Sequence, residues 1–362
     1  MSGIWGKNVK ISIFGESHGV AIGVTIDGLP CGVELDIDYI NQEMQRRAPG
    51  KNSISTPRKE GDQFEILSGY FNGKTTGTPL CSIIRNSNQK SRDYDAVKSV
   101  MRPSHGDYPG HVKYNGCNDY RGGGHFSGRI TAPLVFAGAV AKQILEKQGI
   151  LVASHIKAIE NVEDEKLDHT NIDKEMMAGI KFKDFPVIDD TLGEEMKNAI
   201  HAARDDRDSV GGVIEGVVLD INPGLGSPFF DSIESRLAHA LFSIPGVKGI
   251  EFGLGFEISK LRGSKANDEY YIEDETIKTY SNNNGGVTGG ITNGMPIVFR
   301  VAMKPTPSIS KSQRTVDIST MKNTEVEVHG RHDPCIVQRA VPVVEAACAL
   351  TILDFFLEKE RV

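Results

Sequence analysis

Paired cysteines are missing from this chain. Its five, Cys31, Cys81, Cys117, Cys335 and Cys348, are odd in number and widely scattered, with no C-x-x-C spacing and no histidine cluster beside them. That argues against a disulfide framework and a structural zinc site, and no metal is expected. A basic excess is missing too. The formal charge is −7, whereas a general nucleic-acid binder draws its affinity from a basic face, so nucleic acid is set aside as a partner. No run reads as a membrane span, and residues 1–10 lack the apolar stretch of a signal peptide, so a cytoplasmic protein is expected. The chain also lacks a P-loop lysine and a magnesium-type carboxylate pair, which weighs against a phosphotransferase.

What is present is an ordinary folded composition, 39% hydrophobic and 25% charged over 362 residues, enough for one large or two ordinary domains. The 39 glycines punctuate segments and form no low-complexity tract. GVAIGVTIDGLP at 19–30 aligns with GVIEGVVLDINP at 212–223, matching Gly19/Gly212, Val20/Val213, Gly23/Gly216, Val24/Val217, Asp27/Asp220 and Pro30/Pro223. Helical spacing follows each copy, at 36–47 (Ile37, Ile40, Met44) and 230–242 (Ile233, Leu237, Leu241), and each run ends near a Pro-Gly stop. Strands at 80–84 and 297–301 and long apolar helices at 130–145 and 337–357 complete the parallel. The pattern predicts a single α+β domain with antiparallel sheets, whose repeat halves span about 8–146 and 208–357. The polar stretches 147–207 and 265–281 read as surface insertions.

RGGGHFSGR at 121–129 is the most informative run. Three consecutive glycines let backbone N–H groups turn toward an anion, with the N-terminus of the following helix facing the same point. A flexible turn with solvated arginines is the competing reading. Because the chain is acidic overall, an anionic ligand needs a local basic cluster, with candidates Arg46, Arg47, Arg102, Arg121, Arg129, Lys304 and Arg331.

FGESHG at 14–19 sets Ser17 beside His18 in a Gly-bounded turn after a strand at 10–14. Adjacent residues of extended backbone point to opposite faces, so Ser17 is not expected to be activated by His18, which could serve alone as an acid. RPSHGDY at 102–108 offers a second histidine, His105, in what could be a plain surface loop. His111, His155, His169, His201 and His239 read as ordinary. Arg46 and Arg47 close a helix, either as partners of its dipole or as a fork for a carboxylate or phosphate. KPTPS at 304–308 is a second anion seat or a Pro-rich loop. GRHDPC at 330–335 groups a cation, an imidazole and a carboxylate, though Asp333 before Pro334 also reads as a helix N-cap.

These blocks, in this order and with GVKGIEFGLGF at 246–256 and NNNGGVTGGI at 282–291, resemble the chorismate synthase family over nearly the whole chain. The resemblance implies a layered βαβ sandwich with internal pseudo-twofold duplication, helices packed between antiparallel sheets, and a homotetramer. It implies anti 1,4-elimination of phosphate from 5-enolpyruvylshikimate 3-phosphate, giving chorismate, with reduced FMN and no net redox change. By motif position, His18 resembles the acid for the departing phosphate, His105 the proton partner of the flavin, and Ser17 with Asp333 a proton relay. Arg47, Arg102, Arg129 and Arg331 match substrate-binding positions, and Arg47 is also a candidate NADP contact. His125, Phe126, Ser127, Pro245, Gly246, Gly289, Lys304, Pro305, Thr306, Pro307, Ser308 and Arg331 match FMN contacts.

Two departures stand out. Many relatives have an arginine where this chain has Ser53, and some have Arg-Ser-Ser where this chain has His125, Phe126 and Ser127. No Rossmann fingerprint or added reductase domain is present, so flavin reduction by an external flavin reductase is expected over direct use of NADPH. A non-catalytic flavin or phosphometabolite-binding protein is the alternative, but it would not need Ser17, His18, His105 and Asp333 together.

Overall fold

The computed structural model describes residues 3–50, 61–86, 98–328 and 333–359. Two five-stranded sheets, antiparallel throughout, carry the chain. The first has the order Ile4–Trp5, Lys10–Gly15, Ala21–Asp27, Leu80–Arg85, Phe64–Ser68. The second runs Val162–Glu163, Leu151–Ile159, Gly212–Leu219, Ile297–Met303, Val247–Phe252. Four helices supply about half of the main core, the rest coming mostly from strands: α1 (Ile37–Arg47), α2 (Thr131–Glu146), α3 (Ile233–Phe242) and α4 (Val337–Lys359). The architecture is α+β, and α2 touches strands of both sheets.

Local chemistry explains the helix ends and faces. Asp36 caps α1 by accepting from the N–H groups of Asp38 and Tyr39. The α2 residues from Thr131 to Leu145 are all buried, as are most of those in α4, because each helix meets neighbours on several sides. A helix enclosed in this way is largely apolar all round, and its few buried charges, such as Lys142 and Glu345, pair inside the protein. For that reason α4 is long and apolar enough to cross a membrane by composition, contrary to the expectation that no run would be, yet it is almost wholly buried inside the protein.

Four strands of each sheet stand in corresponding order, Lys10–Gly15, Ala21–Asp27, Leu80–Arg85, Phe64–Ser68 against Leu151–Ile159, Gly212–Leu219, Ile297–Met303, Val247–Phe252. Helices Lys174–Ile180 and Asp190–Asp205 interrupt the second set, and the edge strands do not correspond. The residue alignment drawn from sequence does not keep register with this correspondence. Ile22, Val24 and Ile26 face the main core, as do Ile214 and Val218, whereas Val217 and Leu219 pack in a separate cluster with Met177 and Ile180. Matching Val24 to Val217 therefore pairs opposite faces, the consequence of a one-residue slip in a strand.

A second correction concerns 147–207. This stretch contains Leu151–Ile159, an interior strand buried at every residue, not only surface excursions. Its polar residues hid the pattern, and each is satisfied internally. Ser154 Oγ donates to Glu345 Oε1 at 3.1 Å, and Lys157 Nζ donates to the Asp164 carbonyl at 2.8 Å. His155, expected to be ordinary, is fully buried between Asp164 (2.9 Å) and Glu215 (3.2 Å). Burial opposes its charged form, but the two carboxylates outweigh burial and raise its pKa. The 265–281 stretch includes a largely exposed hairpin, Tyr270–Glu273 with Thr276–Thr279.

Candidate functional site

The turn that follows Lys10–Gly15 brings Ser17 and His18 together. Ser17 Oγ lies 3.2 Å from His18 Nδ1, against the expectation from strand alternation, because residues 17 and 18 form a turn and not extended backbone. The Ser17 hydroxyl also lies 3.0 Å from the Gly122 carbonyl and 3.3 Å from that of Arg121. Since those carbonyls can only accept, the hydroxyl donates to them and accepts from Nδ1–H, which leaves His18 Nε2 as the ring's other nitrogen.

The glycine triplet is explained by what crosses it. Gly122, Gly123 and Gly124 all adopt positive φ, 59°, 83° and 53°. A Cβ on Gly122 would sit 2.1 Å from the His18 ring, and one on Gly123 would sit 3.1 Å from the His105 ring. The backbone thus threads between two imidazoles that are 87 residues apart in sequence. Its carbonyls at Gly122 and Gly124 accept from Ser17, an orientation that the anion-cradle reading did not anticipate. Arg121 is turned aside to Asp119, at 2.8 Å.

His105 is fixed by a carboxylate. Its Nδ1 lies 2.6 Å from Asp107 Oδ1, and Arg102 donates to the same carboxylate through Nε (2.7 Å) and Nη2 (2.8 Å). Burial would raise the Asp107 pKa, but the hydrogen bonds from Arg102 and His105 outweigh it and hold the group below the ordinary carboxylate range. Nδ1–H therefore points at Asp107, and Nε2 is the nitrogen packed toward Gly123.

Arg47 and Arg129 converge on Asp62, a residue the sequence reading did not single out. Arg47 Nη1 donates to Asp62 Oδ2 at 2.6 Å, and Arg129 Nη1 pairs with Asp62 Oδ1. Arg129 Nε also donates to Asn86 Oδ1 at 3.2 Å, while Asn86 Nδ2 donates to the carbonyls of Glu16 and Gly19. Asn86 thus ties Arg129 to the turn that carries His18. Arg46 goes the other way, into the helix layer against Glu345 and Glu43, because neighbours on a helix project about 100° apart. Asp62 follows no periodic run, so nothing in the sequence marked it; Asp107 lay inside the quoted RPSHGDY block, unassigned.

The remaining predicted residues divide. Lys304 Nζ donates to the Ser104 carbonyl at 2.6 Å, joining the end of Ile297–Met303 to the His105 loop. Burial and the neighbouring Lys248 charge lower its pKa. Lys304 N–H donates to the Gly246 carbonyl at 2.9 Å, which also brings Pro245 to this corner. His125 Nδ1 meets the Gly15 carbonyl at 2.8 Å, Phe126 packs over Gly106 and Gly110, and the Ser127 hydroxyl accepts from Arg129 N–H. Gly289 is not brought to this corner. Its neighbour Gly290 bonds Ile233, near the far end of Ile297–Met303, and a seven-residue strand spans roughly 20 Å.

Asp333 is no N-cap, since α4 begins at Val337. Its carboxylate instead pairs with Arg339 Nη1, and Arg339 Nε donates to the Arg47 carbonyl at 3.1 Å. Pro334 precedes the helix for the same reason. Arg331 and Ser53 lie outside the described residues.

Together the site sets Arg47, Arg102 and Arg129 with two carboxylates, Asp62 and Asp107, around two histidines. One further observation points to a ligand at the Lys304 corner. The Thr306 hydroxyl is buried with no hydrogen-bond partner among the described residues, and an unsatisfied buried hydroxyl is rare unless a ligand completes it. No group of His, Cys, Asp and Glu among the described residues could hold a metal.

Comparison with known proteins gives one family. A family model described as chorismate synthase matches residues 9–357. A protein named chorismate synthase from Dehalococcoides mccartyi is 47% identical over 357 residues, covering 99% of this chain and 97% of the relative. One from Thermococcus kodakarensis is 46% identical, covering 98% and 97%. Among solved structures, a crystal structure of chorismate synthase superposes with a TM-score of 0.77 at 33% identity, covering 98% of this chain and 93% of that one.

Proposed function

The chain belongs to the chorismate synthase family, and on that premise we propose how its residues carry out the reaction. The reaction converts 5-enolpyruvylshikimate 3-phosphate to chorismate and phosphate, a carbon–oxygen lyase step of aromatic amino acid biosynthesis. The observation that carries the reading is the packing of His18 and His105 on successive glycines of one triplet, with arginines around them. Arg129 and Arg102 lie where they can attract the substrate's phosphate and carboxylates, with Arg331 assigned the same role by motif. His18, held through Nδ1 by Ser17, presents Nε2 to protonate the departing phosphate. His105, held by Asp107, presents its Nε2 to the flavin. Ser17 and Asp333 form the relay that carries away the substrate proton. Arg47, matched by motif to the substrate-binding positions, backs Asp62 and Arg129 from inside the protein.

Lys304 and Thr306, with Pro245, Gly246, Pro305, Pro307 and Ser308 around them, would hold FMN. When bound, reduced FMN supplies the electron density that lets phosphate leave with no net redox change. The matching strand order of the two sheets supports a layered sandwich that arose by internal duplication. We assign the protein to the cytoplasm as a homotetramer that receives reduced flavin from an external reductase.

The test is anaerobic incubation with verified reduced FMN and 5-enolpyruvylshikimate 3-phosphate, following chorismate and phosphate. Both should appear in equal amounts, and no turnover would overturn the reading. With NADPH and oxidised FMN but no reductase, no chorismate should form.

A further inference from the structure

We infer that Asp62 is a positioning residue for Arg129, and that Arg47 acts through Asp62 as a strut and not as a direct ligand of the substrate. The Asp62 side chain is fully buried, and its two oxygens face two different guanidinium groups. Arg47, 3% exposed, has its fork directed into protein: Nε to Thr131 Oγ1 (3.2 Å), Nη1 to Asp62 (2.6 Å) and Nη2 to the Gly128 carbonyl (2.9 Å). Arg129 is held on two sides, by Asp62 at Nη1 and Asn86 at Nε. Burial alone would keep the Asp62 carboxyl neutral, but Arg47 and Arg129 lower its pKa, so the strut is an ion. A guanidinium fixed before its anion arrives loses less conformational freedom on binding, and that gain appears in affinity.

The inference rests on the proposed role of Arg129 as a substrate contact. In the reduced-FMN assay, Asp62→Asn keeps the shape but turns an amide N–H₂ toward a guanidinium, so KM for 5-enolpyruvylshikimate 3-phosphate should rise about tenfold with kcat within about threefold. The rise in Asp62→Asn/Arg129→Lys should be smaller than the product of the single rises. A purely structural role would instead lower kcat per mole of protein at unchanged KM, and that result overturns the inference. A lower KM also overturns it, by making Asp62 a competitor for the anion site. Should Asp62→Asn fail to fold by near-ultraviolet circular dichroism, Arg47→Lys must raise KM in the same way, and an unchanged KM sinks the proposal. If Arg129→Lys binds substrate like the wild type, the fault lies with the role of Arg129, a result distinct from failure at Asp62.

Discussion

Gly122 illustrates how a residue that looks permissive is in fact fixed by its surroundings. The sequence marked the triplet as special, but for backbone N–H groups facing an anion; the structure gives a steric reason, two histidine rings lying on the glycines. Gly122→Ala would strain a left-handed residue and push a methyl into His18, at a stability cost of about 1–3 kcal/mol. We expect a far larger loss in kcat than in FMN affinity, checked by turnover and by fluorescence titration with FMN. Equal losses would mean that the loop has simply collapsed. At Asp107 the folded pKa is depressed from 3.8, so its contribution to stability is fully present above pH 4 and is lost as the pH falls below that. The stability gap between wild type and Asp107→Asn should therefore narrow as the pH falls below about 4. A gap that stays the same from pH 4 into stronger acid would contradict the depressed value. Asp62 shows the limit of sequence reading at this scale, because a lone acid after a loop becomes meaningful only when two distant arginines meet it.

Elements were more legible than their contacts. The apolar runs of α2 and α4, and α1 with its Pro-Gly stop, could be read from the sequence, since a helix buried on several sides leaves a strong hydrophobic signature. Leu151–Ile159 could not be read, because Ser154, His155 and Lys157 carry polarity that only a partner elsewhere in the fold makes tolerable. The α2/α4 contact sets two rules in opposition. Gly138 lies inside α2, where helix propensity favours Ala by about 1 kcal/mol. Yet a Cβ there would come within 2.3 Å of the Ala346 backbone on α4. Backbone cannot swing aside as a side chain does, and overpacking typically costs about 1–3 kcal/mol. Packing should win, so Gly138→Ala is expected to lower the denaturant midpoint with little change in m. A raised midpoint would show that the helices separate freely.

At the scale of the whole molecule, the question is whether the two sheets, each with its helices taken as one half, unfold apart. Glu345 of α4 argues that they do not. It accepts from Arg46 of α1 at 2.6 and 2.8 Å, pairs with Lys142 of α2, and accepts from Ser154 of the second sheet, with Glu43 completing the cluster. Burial favours the neutral carboxyl, but Arg46 and Lys142 outweigh it and lower the pKa of Glu345. That stabilisation is present above pH 4.5 and is lost as acid reaches the depressed value. Removing one partner leaves buried charge uncompensated, so Glu345→Ala should cost about 3–5 kcal/mol. Because the same carboxylate holds helices of the first half against a strand of the second, neither half can open without exposing ions buried by the other. Calorimetry on the wild type should therefore give one transition, with calorimetric and van't Hoff enthalpies in agreement. Glu345→Ala should lower that transition and broaden or split it. Two separate transitions in the wild-type protein would show that the buried cluster does not couple the halves, whatever its contribution to stability.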